Sequence, residues 1–397
     1  MSFFSTAPSA GFGAASSAPQ SAPAVGGPIN TSVATKVTGE QDQEVLPGVN
    51  DSVSALSFSP TADFLAVASW DTFVRIYKVD KTSSQLVTPW QQYQHEAPVL
   101  DVCWSADGSK VISAGADKVA RCFDMNTNQS TVVAQHNEPV RSVRWSKACG
   151  GVLVTASWDK TLKIWKVGPT PQLVQTVNLA DKCYAMDVCN NIIIVAMAQK
   201  LVAAYILEEN GQIRTASEQQ SPLKHQTRSM VALPNGDGYA LGGVEGRVAV
   251  QYFDDPPDKL GKVKKFAFRC HRQASADHPD IPRNESHIYP VNAIVFNSQG
   301  TFATGGGDGS INFWCGQSRT RLKTFETKGP KNAPKELFKT NANRIPITAL
   351  AFNADASILA YSISYDWHKG YQGAIQENHV YLQPVSIEDI RKRPPKN

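Results

Sequence analysis

The chain has 397 residues, 42% of them hydrophobic, and a formal net charge of only +4. That apolar content supplies a packed core, and so small a charge excludes a strongly basic nucleic-acid binder; any such site must be a local patch. The seven cysteines form no CxxC pair and mostly sit in apolar runs such as Val102-Cys103-Trp104, which reads as reduced, buried thiols in an intracellular protein.

Residues 1–35 are mostly Ser, Ala, Gly and Pro around a Gly11-Phe12-Gly13 island. Such a composition cannot offset its ordering entropy, so this tail is expected to be disordered. No charged stretch followed by a long apolar run marks a secretory leader, and the longest apolar runs, such as 192–198, are far too short for a bilayer. The expected location is nuclear or cytoplasmic, with no membrane insertion. Residues 36–45 turn polar and charged and read as one isolated strand.

A pattern then recurs. Each copy opens on a mixed run such as 53–60, continues into a short apolar run, turns, and ends on a second run, which alternates in the third copy at Leu162 and Ile164. The copies begin at Val53, Val99, Val140, Cys183, Ser229, Val291 and Ile347. The third is the fullest, with residues 155–165 reading as a hairpin turned by Asp159 and Lys160. The fourth is eroded and has no turn Asp. The starts lie roughly 40 to 60 residues apart, at or above the period of WD-type propeller repeats. Between copies there is room for a fourth strand, for example at 130–134, 172–177 or 263–270. Four strands in each of seven copies predict an all-β fold, a seven-bladed β-propeller spanning 36–390. The seventh copy lacks an outer strand, and 36–45 is the expected donor that closes the ring. Residues 391–397 form a basic tail.

His136, Thr155, Asp159 and Trp165 have the residue types and order of the buried hydrogen-bonded chain that stabilises a WD blade. His95, Ser113 and Asp117 repeat it, with Phe123 replacing Trp. These groups resemble a catalytic dyad on paper, but their expected role is structural. No GxxxxGK[ST], HExxH or GxSxG motif is present. The Gly-rich run 305–309 lies in a turn with no helix after it, and Cys270-His271 has no further ligand at metal spacing. The chain therefore reads as a non-enzymatic platform with no catalytic residues, cofactor or metal.

Strand order puts the second-to-third turns and the loops entering each copy on one rim, here called the top. Trp70, Trp158 and Arg247 occupy such turns, and Arg228 enters the fifth copy. Trp and Arg dominate binding hot spots, and Arg grips carboxylates bidentately. The implied ligand is a peptide with acidic residues flanked by apolar ones; the alternative is that each Trp only packs on the next blade. A second basic concentration gathers Lys259, Lys262, Lys264, Lys265, Arg269 and Arg272 around Phe266 and Phe268. Arg319, Arg321 and Lys323 follow beside Trp314. Cations interleaved with aromatics suit phosphate contact plus base stacking, against the alternative of a solvated rim.

At these residues the chain resembles the eukaryotic WD-repeat mRNA export factor of the nuclear pore, the Rae/Gle family. The resemblance rests on residues 99–110 and 134–136, Ser157-Trp-Asp-Lys-Thr-Leu-Lys163, Ser221-Pro-Leu-Lys-His-Gln226, Glu245-Gly-Arg-Val-Ala249, Phe268-Arg-Cys-His-Arg272 and Ser364-Tyr-Asp-Trp-His-Lys-Gly370. It covers about 50–390. The sister spindle-checkpoint WD-repeat family shares the 245–249 feature and 301–306, while 364–370 and the Gly/Phe-bearing tail favour the export factor. The resemblance implies top-face binding of a GLEBS-type peptide of an FG-nucleoporin through Arg228, Arg247 and Trp70. It also implies RNA contact through a surface including Phe268, Trp314, Arg319 and Arg321. It implies a shuttling protein of the nuclear pore and nuclear envelope; the sister family would instead bring checkpoint kinases or spindle factors. Gly316 departs from a lysine expected after Trp314, and 328–343 departs from a shorter linker.

Overall fold

Short alternating strands cannot bury their apolar faces alone, so the fold must be built by repetition. The computed structural model describes residues 42–81, 86–254, 264–274, 282–326, 345–368, 370–371 and 378–394. The expected tail, residues 36–41, Lys259, Lys262 and 328–343 lie outside them. Among the described residues the strands form seven four-stranded sheets and one two-stranded sheet. Blade 1 runs Val53–Phe58, Phe64–Ser69, Phe73–Val79 and Val87–Gln94. Blade 2 runs Val99–Trp104, Lys110–Gly115, Val119–Asp124 and Gln129–Gln135. Blade 3 is Val140–Ser146, Val152–Ser157, Thr161–Lys166 and Gln172–Asn178. Blade 4 is Cys183–Cys189, Ile192–Met197, Leu201–Leu207 and Ile213–Gln220. Blade 5 consists of Thr227–Ala232, Gly238–Gly243, Arg247–Tyr252 and Phe266–Arg269. Blade 6 consists of Val291–Phe296, Phe302–Gly306, Ser310–Cys315 and Thr320–Glu326. Blade 7 has Ile347–Phe352, Ile358–Ile363 and His379–Pro384, with Gln43–Glu44 on its outer edge. First strands of successive blades touch around the ring, and that of blade 7 returns to blade 1. The fold is a seven-bladed WD-repeat β-propeller.

At the closure Gln43 pairs with Leu382 and Glu44 with Tyr381. Val45 N donates to Val380 O at 2.8 Å, and Tyr361 OH donates to Asp42 at 2.7 Å. Second strands are sandwiched between neighbouring blades and read as unbroken apolar runs; Val152–Ser157 and Gly238–Gly243 are buried at every position. Outer strands face solvent, and all of Ile213–Gln220 except Ile213 is exposed.

The buried polar chains are satisfied in blades 2, 3 and 6. In blade 3, His136 Nδ1 meets Asp159 at 3.0 Å, His136 Nε2 meets Thr155 Oγ1 at 2.8 Å, and Trp165 Nε1 donates to Thr155 Oγ1 at 3.0 Å. In blade 2 the place of the indole N–H is taken by Tyr93, whose hydroxyl donates to Ser113 Oγ at 2.9 Å while its ring stacks on Phe123 at 5.1 Å. Blade 6 has the complete set. His271 reaches Asp308 at 2.8 Å and Thr304 at 2.8 Å, and Trp314 Nε1 donates to Thr304 at 2.9 Å. Gly306 makes room for it, because a Cβ there would sit 2.2 Å from His271 Nδ1.

The blade 3 chain predicts a pH dependence. Burial pulls the His136 imidazole down to about 4, with Asp159 offsetting part of the effect. An unfolded histidine titrates near roughly 6.5. Between these values the unfolded chain binds a proton that the fold excludes. Stability is therefore present above about pH 6.5 and lost as pH falls toward about 4, by on the order of 3 kcal/mol. Urea unfolding of the wild type and His136→Gln across this window should show the slope only in the wild type. An equally steep loss in the variant would assign it to other groups.

Near the central channel Arg144 of blade 3 ties four blades together. Its Nη1 lies 2.6 Å from Asp101 of blade 2 and its Nε lies 2.9 Å from Asp187 of blade 4. The second Asp187 oxygen accepts from Ala232 N of blade 5 at 2.8 Å, and Asp101 also accepts from Ser142 Oγ at 2.6 Å. Burial opposes the guanidinium charge, yet the two carboxylates hold its pKa above the usual range.

Candidate functional site

The top rim is built by second-to-third turns that the sequence locks locally. Ser69 Oγ accepts from Asp71 N at 3.2 Å and Ser157 Oγ accepts from Asp159 N at 3.0 Å. Thr72 and Lys160 turn the chain through left-handed φ of 75° and 62°. Trp70 and Trp158 are thereby held at the turn tips, 37% and 36% exposed, so packing on a neighbour leaves over a third of each ring in solvent. Both line one depression of about 350 Å³ over the channel mouth, together with Arg228, Arg141, Tyr184, Tyr365 and Trp367. Trp367, 42% exposed, stacks on Trp70 with centroids 5.9 Å apart.

Arg228 is aimed by neutral acceptors. Its Nε donates to Asn292 Oδ1 at 3.2 Å and its Nη2 to Asp366 O at 3.2 Å. Asn292 is fixed in turn by donating to Asp366 Oδ2 at 2.9 Å and Ile347 O at 3.0 Å. No described carboxylate lies within ion-pair distance of Arg228; burial pulls its pKa below the usual range, and the charge of the nearby Asp366 offsets part of this. Arg247 does not line the depression. It stands farther out on blade 5, with Nε 3.6 Å from Glu245. Glu245 Oε1 also accepts from Lys224 N at 2.8 Å. Arg269, grouped by sequence with the second basic patch, faces Arg247 across the strand pair at the top end of its strand. Arg272 donates to Glu245 O at 2.8 Å. Burial, with the charges of Arg269 and Arg247, pulls the Arg272 guanidinium below its usual range. The upper edge of blade 5 is thus a radial row of guanidiniums running outward from the channel mouth.

The rest of the second patch lies at the opposite rim. A groove of about 520 Å³ between blades 5 and 6 is lined by Lys264, Arg319, Tyr252, Phe296 and Gly316, among others. Arg319 stacks over Phe266 at 5.0 Å and donates from Nη2 to Lys264 O at 3.2 Å. Lys264 Nζ lies 5.7 Å from the Tyr252 ring centroid, and Lys265 and Arg321 are exposed. Phe268 and Trp314, expected to interleave with the cations, pack on each other 4.5 Å apart and are half-buried. Trp314 also belongs to the blade 6 polar chain, so its N–H is committed to Thr304. His271 is committed likewise. Burial raises the pKa of the adjacent Cys270 thiol, which disfavours a thiolate there.

A WD40 domain model from anaphase-promoting complex subunit 4 matches residues 56–148, and a model of the WD domain, G-beta repeat, matches 282–315. The poly(A)+ RNA export protein of Schizosaccharomyces pombe is 40% identical over 377 residues, 93% of this chain and 98% of that one. The mRNA export factor GLE2 of Chaetomium thermophilum is 38% identical, over 92% of this chain and 96% of its own. The mRNA export factor of Xenopus tropicalis is 37% identical, over 89% and 91%. The chain belongs to the WD-repeat mRNA export factor family.

In this member of the export factor family, the two faces offer different chemistry. The top pairs broad aromatic rings with arginines, which suits an acidic peptide with apolar flanks. The lower groove pairs flexible cations with rings, which suits a phosphate chain. Sequence reasoning missed Trp367, Arg141 and Tyr184, and grouped Arg272 with the second basic patch rather than with the top. Trp367 was legible, since it stands in the blade 7 turn equivalent to those of Trp70 and Trp158. Arg141 and Tyr184 carried no signal, being one residue into ordinary first strands.

Proposed function

We propose that this chain is a non-enzymatic scaffold of mRNA export, working at the nuclear pore and shuttling between nucleus and cytoplasm. It binds a GLEBS-type peptide of an FG-nucleoporin across the top. Trp70 and Trp158 take its apolar residues, and Arg228 and Arg247 take its acidic ones. The lower groove contacts RNA through Lys264, Lys265, Arg319 and Arg321. The relatives, named as mRNA export factors, support the export role. The observation that carries the top-face reading is the exposed aromatic cluster beside Arg228, a guanidinium whose direct hydrogen bonds go to neutral oxygens. Calorimetry with a GLEBS-type peptide should give one-to-one binding, weakened at least about tenfold when its glutamates become glutamines. Equal affinity for both peptides would remove the arginine–carboxylate pairing, and absence of binding would remove the top-face site. Exclusive binding of checkpoint-kinase peptides would place the chain with the sister family's function.

A further inference from the structure

Arg228 and Asn292 hold equivalent places in neighbouring blades. Each is the second residue of its first strand. Each is left out of the ladder at a bulge, between Thr227 and Ser229 in blade 5 and between Val291 and Ala293 in blade 6. A bulge re-aims the extra side chain, and here both line the depression over the channel mouth. Blade 7 brings a carboxylate to the same place. Asp366, in the turn after the second strand of that blade, is buried and also lines the depression. Gly307 of blade 6 leaves room for it, since a Cβ there would sit 3.1 Å from Asp366 Oδ2.

A guanidinium and a carboxylate lining one depression would ordinarily pair. Here Asn292 stands between them. Its Nδ2 donates to Asp366 Oδ2 at 2.9 Å and to Ile347 O at 3.0 Å, and its Oδ1 accepts from Arg228 Nε at 3.2 Å. Two acceptors on one side and a donor on the other fix the orientation of the amide. Arg228 Nη2 donates to Asp366 O at 3.2 Å, and among the described residues Nη1 makes no hydrogen bond. The Nε side of the guanidinium is therefore held by the frame, while the Nη1 end keeps its donors for a carboxylate. Asp366 itself is anchored. Its Oδ1 accepts from His368 N at 3.3 Å and also meets His368 Nδ1. The residues before it are tied to blade 1, with Val53 N donating to Ser364 Oγ and Ser52 Oγ donating to Tyr365 O, both at 3.2 Å. The residue after it, Trp367, is held at a left-handed φ of 64°, a costly conformation for a bulky side chain. Of the two charged groups, the long arginine is the one able to swing.

We infer that Asn292 is a positioning residue that holds Arg228 and Asp366 apart, so that the guanidinium charge is left for an acidic partner instead of being cancelled inside the ring. The inference rests on the top-face peptide reading given above. Asparagine fits the task because one amide offers an acceptor to the guanidinium and a donor to the carboxylate. Aspartate at this position would pair with Arg228 itself. Alanine would let Arg228 swing onto Asp366. Either change closes the site to a ligand carboxylate without touching the aromatic cluster.

The test is calorimetry of the full chain with the acidic GLEBS-type peptide and with its glutamine counterpart. The glutamine peptide reads the aromatic contacts and reports whether each variant is folded. Asn292→Ala and Asn292→Asp should bind it within about twofold of wild type and bind the glutamate peptide about tenfold more weakly, so the preference for glutamate collapses. Asn292→Ala combined with Asp366→Asn removes the competing carboxylate and keeps the carbonyl that holds Nη2, and should restore a preference of at least about fivefold. A preference unchanged in Asn292→Ala, or both peptides weakened alike, would overturn the inference and make Asn292 a structural support. A double variant no better than Asn292→Ala would overturn the separation of Arg228 from Asp366. Wild-type protein that binds both peptides equally, or neither, would overturn the top-face reading and this inference with it.

Discussion

Arg228→Glu is expected to reduce affinity for an acidic GLEBS-type peptide at least about a hundredfold, with the far-ultraviolet spectrum unchanged. The guanidinium sits at the channel mouth, fixed by Asn292 and the Asp366 carbonyl. A ligand carboxylate there replaces water with a charge-assisted contact in a partly enclosed site. Losing such a partner costs roughly 2–5 kcal/mol, and 2.7 kcal/mol corresponds to about a hundredfold. Reversal adds repulsion between the new carboxylate and both the ligand and Asp366. Arg228→Gln keeps a neutral NH₂ donor and removes the charge, so it should fall between wild type and reversal. Reversal at Arg247 acts in the same direction but less, because Glu245 already balances part of that charge. Calorimetric affinity equal to wild type in Arg228→Glu would move the peptide off this face.

Arg144→Leu carries the largest expected stability effect. The substitution leaves Asp101 and Asp187 without their shared cation, and these two carboxylates bind groups from blades 3 and 5. Removing one member of such a network costs more than the network contributes, because the remaining charges stay desolvated. The expected loss is roughly 3 kcal/mol, read as a shift of the urea midpoint. Asp101→Asn with Asp187→Asn in the Arg144→Leu background should recover part of it. A midpoint unchanged in Arg144→Leu would mean that water in the central channel already solvates both carboxylates.

The ring was legible because its signals are local. Each second strand is an apolar run, and the turn residue Asp117, Asp159 or Asp308 follows it at fixed distance. The blade 6 chain escaped because His271 stands far ahead of its blade. His95 and His136 lie four residues before the first strands at Val99 and Val140. His271 is separated from Val291 by a hairpin that pairs Arg272–Ala274 with Ser286–Ile288. Spacing then carries no information, and only the folded contacts to Thr304 and Asp308 identify the residue. The top face was half legible. Turn position marked Trp70 and Trp158, but the joining of Arg269 and Arg272 to Arg247 depends on strand register. The lower groove was read from composition, which registers cations and rings. Composition is silent on a lysine brought from another segment, as Lys392 is to the groove between blades 5 and 6.

The closure of blade 7 has a kinetic consequence. Glu44 Oε1 meets His379 Nδ1 at 2.6 Å across 335 residues of chain. Blades 1 to 6 each form from contiguous segments, whereas this sheet waits until nearly the whole ring exists. Loop entropy rises only logarithmically with length, so the long separation adds little to the equilibrium cost. It weighs on the rate instead, since distant pairing is slow to find. As the chain emerges during synthesis, Gln43–Glu44 stays single until His379–Pro384 is made. Once made, the His379–Pro384 edge is open to strands of other chains until Gln43–Glu44 docks on it, and ring closure is the step that removes this exposure.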